Sequence, residues 1–461
     1  MYKITVKDHG GETLLQALRK EGALPDAPCG GNGTCGKCKV QVNGEEMLAC
    51  RTVVERDMTV EVPQKQTAVL ADGAAVQTDG SCDFALAYDI GTTTVVCYLL
   101  DGKTGKIIRS AGCANPQAAY GADVISRIQY VMDTGSAELK NLMEQAMHTL
   151  ALQVAEEKQI SMVSVVGNTA MHHLLLGMDP RPLTVPPYMP NTTEAVEREG
   201  LRVLPNIAGF VGGDTVGCML SAGFEKREKL TLLIDIGTNG EMVLGDKNKK
   251  LACSTAAGPA FEGARIACGM RGAEGAVDHV WIENGVLRWS VIGNGEAKGI
   301  CGSGLLDLVA CLLELDVISK TGRMGCETYR LGETEVYLTQ KDVREVQLAK
   351  SAIRAGVELM CSHMGVRPEN IEEVLLAGAF GNYLKPASAC KIGMIPPCLE
   401  RKIVPIGNAA GVGAAMCAVS RDAFELAKQL AKETTFLELA SKAEFQDLFV
   451  DCLSFEEDVD E

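Results

Sequence analysis

The chain has 461 residues, 46% hydrophobic and 23% charged, with 49 glycines; this suits two to four domains of roughly 100 to 200 residues and excludes disordered, collagenous and small disulfide-scaffold proteins. Its 44 basic and 60 acidic residues leave a net charge of −16, which repels a phosphate backbone, so no nucleic acid partner is expected. The start, MYKITVKDHG, lacks a basic segment followed by an apolar one, and no apolar run nears the roughly 18 residues of a membrane span. A cytoplasmic protein without membrane association is expected, whose 18 cysteines serve as metal ligands, catalysts or small buried hydrophobes rather than disulfides.

Residues 1–66 read as a small sheet around one helix. A strand at Tyr2–Val6 precedes a helix that Thr13 opens with Gln16 as its capping-box partner, and a loop rich in glycine and cysteine follows. Alternating segments at Lys39–Val42, Met47–Val54 and Met58–Val62 complete the sheet, the first turning at Asn43 and Gly44. Residues 67–83 lack periodicity and read as a linker. Over residues 87–107, AYDIGTTTVVCYLLDGKTGKI reads as strand, loop, strand, turn and strand, and residues 137–158 place Leu139, Leu142, Met143, Ala146, Leu150 and Val154 on one helical side. The same opening recurs: Asp89-Ile90-Gly91-Thr92 returns as Asp235-Ile236-Gly237-Thr238. Residues 84–228 and 229–454 are therefore expected to be related halves facing each other across a cleft. A buried helix from Gly304, an amphipathic helix over 343–365 and a strand ending in the glycine turn GAFG at 378–381 make this an alternating α/β chain. Residues 455–461 read as a solvated acidic tail.

Cys29, Cys35, Cys38 and Cys50 are separated by five, two and eleven residues. Four thiolates in a loop whose glycines let main-chain N–H groups approach the sulfurs suit a 2Fe-2S cluster. Zinc is the rival, but structural zinc usually takes two close pairs and only Cys35 and Cys38 form one. On these residues the segment resembles the ferredoxins, which implies a β-grasp fold. It departs in a first gap of five rather than four and in a short connection from Val6 to Thr13. The other cysteines, among them Cys253, Cys268, Cys301 and Cys311, form no further C-x-x-C and read as small buried hydrophobes.

Tight turns at Gly91 and Gly237 are expected to expose consecutive N–H groups, the neighbouring Thr92, Thr93, Thr238 and Asn239 to add donors, and Asp89 and Asp235 to hold a hydrated Mg²⁺. Two copies favour phosphate binding over two ordinary turns. Together the residues resemble the phosphate loops of the acetate kinase, sugar kinase, heat-shock protein and actin superfamily, which implies two ribonuclease-H-like halves clamping ATP. Gly378 and Gly381 resemble its adenosine loop. The loops at 212–215 and 257–263 are expected to face the same cleft, with Asp214 and Glu241 as candidate catalytic carboxylates positioning Mg²⁺ or water; otherwise they are a turn cap and a surface carboxylate. His172 and His173 read as packing or capping residues, and without G-x-x-x-x-G-K-[ST] the chain is not a P-loop NTPase.

With both features in one chain, nearly the whole sequence resembles the reductive activators of corrinoid proteins, departing in a connector shorter than the linker domain of longer members. The resemblance implies ATP-dependent transfer of one electron through the 2Fe-2S cluster to the Co(II) corrinoid protein of a methyltransferase system, restoring Co(I). It also implies an upstream low-potential electron donor and allows a homodimer. The alternatives are an activator of another redox enzyme, a ferredoxin-fused small-molecule kinase and a redox-sensing ATPase. Activators of 2-hydroxyacyl-CoA dehydratases share the ATP fold but lack an N-terminal ferredoxin.

Overall fold

The computed structural model describes residues 2–7, 11–20, 38–62, 74–121, 123–381 and 383–455. Strands β1 (Tyr2–Val6), β2 (Lys39–Val42), β3 (Glu45–Leu48) and β4 (Met58–Val62) form a sheet of order β1-β4-β2-β3, with helix α1 (Leu14–Lys20) beside it. The capping box forms as expected: Thr13 N–H donates to Gln16 Oε1 at 2.9 Å and Gln16 N–H to Thr13 Oγ1 at 3.3 Å. Leu14, Leu15 and Leu18 pack with Val40, Val42, Val60 and Val62. The third strand stops at Leu48 instead of running to Val54. The reason lies in the helix, whose first N–H groups have no intrahelical partner: Leu14 N–H donates to Thr52 O and Leu15 N–H to Ala49 O, which draws residues 49–52 out of the sheet.

The chain divides into two compact units, residues 1–214 with 414–425 and residues 215–413 with 426–461. The first unit also holds β5 (Phe84–Ile90), β6 (Thr94–Asp101), β7 (Ile107–Ala114), α2 (Val124–Thr134), α3 (Ala137–Ala155), β8 (Met162–Gly167), α4 (Thr169–Leu176), β9 (Val196–Arg198) and β10 (Leu201–Val203); α5 (Gly213–Ser221) begins at its end. The sheet order is β7-β6-β5-β8-β10-β9: an antiparallel meander joined to parallel β8 and β10, with β9 antiparallel at the edge. Helix α3 buries Leu139, Met143, Leu150 and Val154, as its periodicity predicts. Residues 74–83, at the end of the expected linker, are tied down: Val76 N–H donates to Gly105 O, and Thr78 Oγ1 to Val419 O at 3.0 Å.

The second unit repeats the plan with β11 (Thr231–Ile236), β12 (Gly240–Gly245) and β13 (Lys250–Thr255), followed by β14 (Ala276–Glu283), β15 (Val286–Val291), β16 (Gly299–Ile300), α6 (Gly302–Glu314), β17 (Thr328–Arg330), β18 (Tyr337–Thr339) and α7 (Gln340–Met364). Then come β19 (Glu373–Ala377), α8 (Gly378–Gly381), α9 (Pro386–Lys391), β20 (Ile403–Gly407), α10 (Ala409–Val419), α11 (Arg421–Glu433), β21 (Thr434–Phe436) and α12 (Ala443–Asp451), of which residues 414–425 of α10 and α11 belong to the first unit. The order β13-β12-β11-β19-β20 matches β7-β6-β5-β8-β10, so the repeated motif marks a repeated ribonuclease-H-like sheet. Two expectations are corrected. The GAFG turn is a single helical turn, α8, and the expected acidic tail begins inside the core: Phe455 is 7% exposed, lies under the Lys350 ammonium and donates its N–H to Lys320 O. Phe455→Ala is expected to cost about 3 kcal/mol and lower the thermal midpoint of the second unit by roughly 6 to 12 °C. An unchanged melting curve would contradict the packing.

Candidate functional site

Cys29 and Cys35 lie outside the described residues. The other two of the quartet meet: Cys38 Sγ is 3.2 Å from Cys50 Sγ, and Cys50 N–H donates to Cys38 Sγ at 3.4 Å. The bend that ends β3 carries Cys50 to this position, because α1 holds the carbonyls on either side of it. A tetrahedral metal with bonds of about 2.3 Å sets two of its sulfurs about 3.8 Å apart, so a small opening of the pair accommodates one iron. Burial raises the Cys38 thiol; a bound metal is what lets such a thiol shed its proton. These residues fit the cluster.

In the first unit, Asp89 is the penultimate residue of β5 and the turn after it closes through Gly91 N–H to Thr94 O. Polar side chains from other elements hold this turn. Asn115 Nδ2 donates to Gly91 O at 2.7 Å, Asn168 Nδ2 to Thr92 Oγ1 at 2.9 Å, and the guanidinium of Arg127, fully buried on α2, to Thr92 O. Asn115 N–H bonds to Thr93 O. Asn168 also caps α4, its Oδ1 accepting from Met171 N–H. Gly212 lets the segment leading to Asp214 press against this cap: a Cβ there would sit 2.5 Å from Asn168 Cα.

In the second unit, Asp235 is the penultimate residue of β11, and Gly237 N–H closes its turn onto Asn239 O. In both turns the glycine N–H expected to face phosphate is thus used internally. Strand register sets Asp235 opposite Glu241, and Glu241 opposite Ser254, whose Oγ donates to Glu241 Oε1 at 3.4 Å. Glu241 is buried, not a surface carboxylate. Two carboxylates directly opposite on neighbouring strands repel, and a divalent cation with oxygen ligands relieves that repulsion, so the pair fits Mg²⁺. Gly378, at φ +86°, abuts the same carboxylate: a Cβ there would lie 2.7 Å from Asp235 Oδ1. Gly381 packs under β19, close to Leu376 O.

Each of the two turns is held by residues that carried no functional signal in the sequence. Glu262 accepts from Thr238 Oγ1 at 3.1 Å; its loop was legible as polar and glycine-rich, but nothing singled out the carboxylate. Arg127 gave no local signal, whereas Asn168, just before an apolar helix, carries a legible capping pattern. His173 donates from Nδ1 to Thr169 O at 2.7 Å and accepts at Nε2 from Asn191 N–H, while burial lowers His172 to about 4; both pack in the core as expected. Of the cysteines outside the quartet, eight are buried, and burial raises Cys97 to about 12 and Cys361 to about 12, so these thiols behave as small hydrophobes.

Protein surrounds Asp235 on most sides, although a small opening to solvent remains. Burial raises its carboxyl to about 6, opposed in part by the Cys218 thiol, which donates to Oδ2 over 3.7 Å. The folded value exceeds the ordinary 3.8, so ionised Asp235 burdens the nucleotide-free protein above pH 6, and that burden fades as the pH falls toward 4. Mg²⁺ and the proton compete for this carboxylate. The apparent Mg²⁺ affinity measured with ATP is expected to fall about tenfold between pH 7 and pH 5; a flat profile would contradict the assignment.

Residues 229–461 match the family model for the C-terminal domain of RACo, the ASKHA domain; residues 84–227 match the RACo middle region, and residues 2–71 the 2Fe-2S iron-sulfur cluster binding domain. The chain is 35% identical over 414 residues to the corrinoid activation enzyme RamQ of Eubacterium limosum, covering 80% of this chain and 69% of that protein. It is 24% identical over 421 residues to the Co(II) methylated amine-specific corrinoid protein reductase of Methanosarcina barkeri, covering 81% and 77%. A solved structure of a reductive activator for corrinoid, iron-sulfur protein superposes with a TM-score of 0.73 at 29% identity over 98% of each chain. No helix among the described residues is long and apolar enough to cross a membrane. The cofactors are a 2Fe-2S cluster, ATP and Mg²⁺. With an N-terminal 2Fe-2S domain, the RACo middle region and an ASKHA domain in one chain, this protein belongs to the family of reductive activators of corrinoid proteins.

Proposed function

We propose that this protein is an ATP-hydrolysing activase that returns the Co(II) corrinoid protein of a methyltransferase system to Co(I). Each electron gained by cobalt is one given up by an upstream low-potential donor and routed through the site of Cys29, Cys35, Cys38 and Cys50. The observation that carries this reading is a 2Fe-2S domain joined to an ASKHA domain in a chain that matches a reductive activator for corrinoid, iron-sulfur protein end to end. When bound, the 2Fe-2S cluster supplies a one-electron carrier.

A carrier alone passes electrons only toward higher potential, so the ATPase must supply the difference. If nucleotide and partner together favour one conformation by about 10⁴, roughly 5.5 kcal/mol, a one-electron potential moves by about four steps of 59 mV, or about 240 mV. In this reading residues 1–66 form the electron-carrying domain and 67–83 its connection. Residues 84–228 use Asp89, Gly91, Thr92 and Thr93, and residues 229–454 use Asp235, Gly237, Thr238 and Asn239, to hold the phosphates. Asp235 and Glu241 take Mg²⁺, Gly378 and Gly381 let the nucleoside lie against the main chain, and Asp214 positions water.

Two variants separate the halves of this function. Cys35→Ser is expected to hydrolyse ATP near the wild-type rate while forming no Co(I). Asp235→Asn should keep the visible spectrum of the cluster but lose ATP hydrolysis by roughly a hundredfold, and Co(I) formation with it. Co(I) formed by Cys35→Ser would overturn the electron route, and phosphorylation of a small molecule by the wild type would favour a kinase.

A further inference from the structure

Asp307, one turn inside α6, is 1% exposed, yet four donors from other elements converge on it. Ser388 Oγ of α9 donates to Oδ1 at 2.6 Å. Oδ2 accepts from Lys385 Nζ at 2.8 Å, from His279 Nδ1 at 3.1 Å and from Val280 N–H at 3.2 Å, both of the latter on β14. Lys385 also donates to Val280 O at 3.4 Å, and its ammonium lies 5.9 Å from the centre of the Trp281 ring. A buried carboxylate is expensive, and well-packed apolar residues usually hold elements together at least as well. What a fully bonded polar hub adds is a single orientation of the parts it joins.

Those parts flank the nucleotide loop. Lys385 follows Gly381 by four residues and precedes α9, and between them Leu384 packs in the core. An apolar contact such as that of Leu384 is non-directional, whereas the bonds of Lys385 and Ser388 to opposite oxygens of Asp307 define a rotation and depth. At its other end the segment carries Gly378, which touches Asp235 so closely that one methyl group would not fit.

We infer that Asp307 is a positioning residue for the nucleotide: by gripping Lys385 and Ser388 it sets the Gly378–Gly381 turn at the distance from Asp235 that bound ATP requires. A shift of about 1 Å in such a turn is enough to weaken binding. The inference rests on the ATP reading above, and it assigns Asp307 no contact with substrate.

The test uses the full-length protein with its cluster intact, measuring the steady-state constants for ATP and, by calorimetry, direct binding of Mg-ADP. Lys385→Met and Asp307→Asn are expected to raise KM and the Mg-ADP Kd about tenfold, about 1.4 kcal/mol, with kcat within about threefold. Lys385→Arg should restore wild-type values, Ser388→Ala should give a smaller rise, and the cluster spectrum should stay unchanged throughout. Should Asp307→Asn fail to fold, Lys385→Met decides, since that side chain is 40% exposed. Folded Lys385→Met with wild-type KM and Kd, or with a loss confined to kcat, would overturn this inference alone. A wild-type protein that binds neither nucleotide would overturn the ATP reading and this inference with it.

Discussion

Asp235 and Glu241 stand opposite each other on neighbouring strands, both largely removed from water, and the second unit is arranged around the cost of keeping them there. A lone buried carboxylate relieves its cost by taking up a proton, and the raised value of Asp235 shows that tendency. The Cys218 thiol on one oxygen and the Ser254 hydroxyl on Glu241 moderate the charge without neutralising it. A divalent cation bound there would complete the balance. Gly378 then brings the turn after β19 to the other oxygen of Asp235, where any side chain would intrude.

The two copies of Asp-Ile-Gly-Thr occupy the same place in matching sheets but are supported differently. The first is held by amides and a guanidinium: Asn115, Asn168 and Arg127 all bond to Gly91 or Thr92. In the second, the threonine bonds to Glu262 and the aspartate stands opposite Glu241 on the neighbouring strand. A turn fixed by neutral and cationic donors suits the steady placement of phosphate. A turn flanked by carboxylates suits a metal ion and the water around it. One backbone plan thus recurs in the two sheets, with different side chains around each turn.

Much of this was legible in the sequence wherever the signal was local. The Thr13–Gln16 box, strands Tyr2–Val6, Lys39–Val42 and Met58–Val62, the helix through Leu139 and Val154, and the repeated motif with its hairpins all depend on neighbours a few residues apart. What escaped depends on partners far along the chain. Strand β3 ends early because a helix more than thirty residues upstream takes its following carbonyls, and Phe455 enters a core built largely by α6 and α7. Nothing local marks Arg127 or Glu262 in the sequence; the fold brings them onto the loops. Cys38 and Cys50 meet as their spacing led one to expect, while Cys29 and Cys35 lie outside the described residues.

The central claim is that nucleotide drives an electron to a partner that the cluster alone cannot reduce. The direct measurement is the anaerobic visible spectrum of a methyltransferase corrinoid protein, held with this protein at a potential where Co(II) persists, before and after Mg-ATP is added. The account predicts that the Co(I) band appears only with Mg-ATP. A band of equal size without nucleotide would contradict the coupling, and no band with an intact cluster and active ATP hydrolysis would contradict the corrinoid partner.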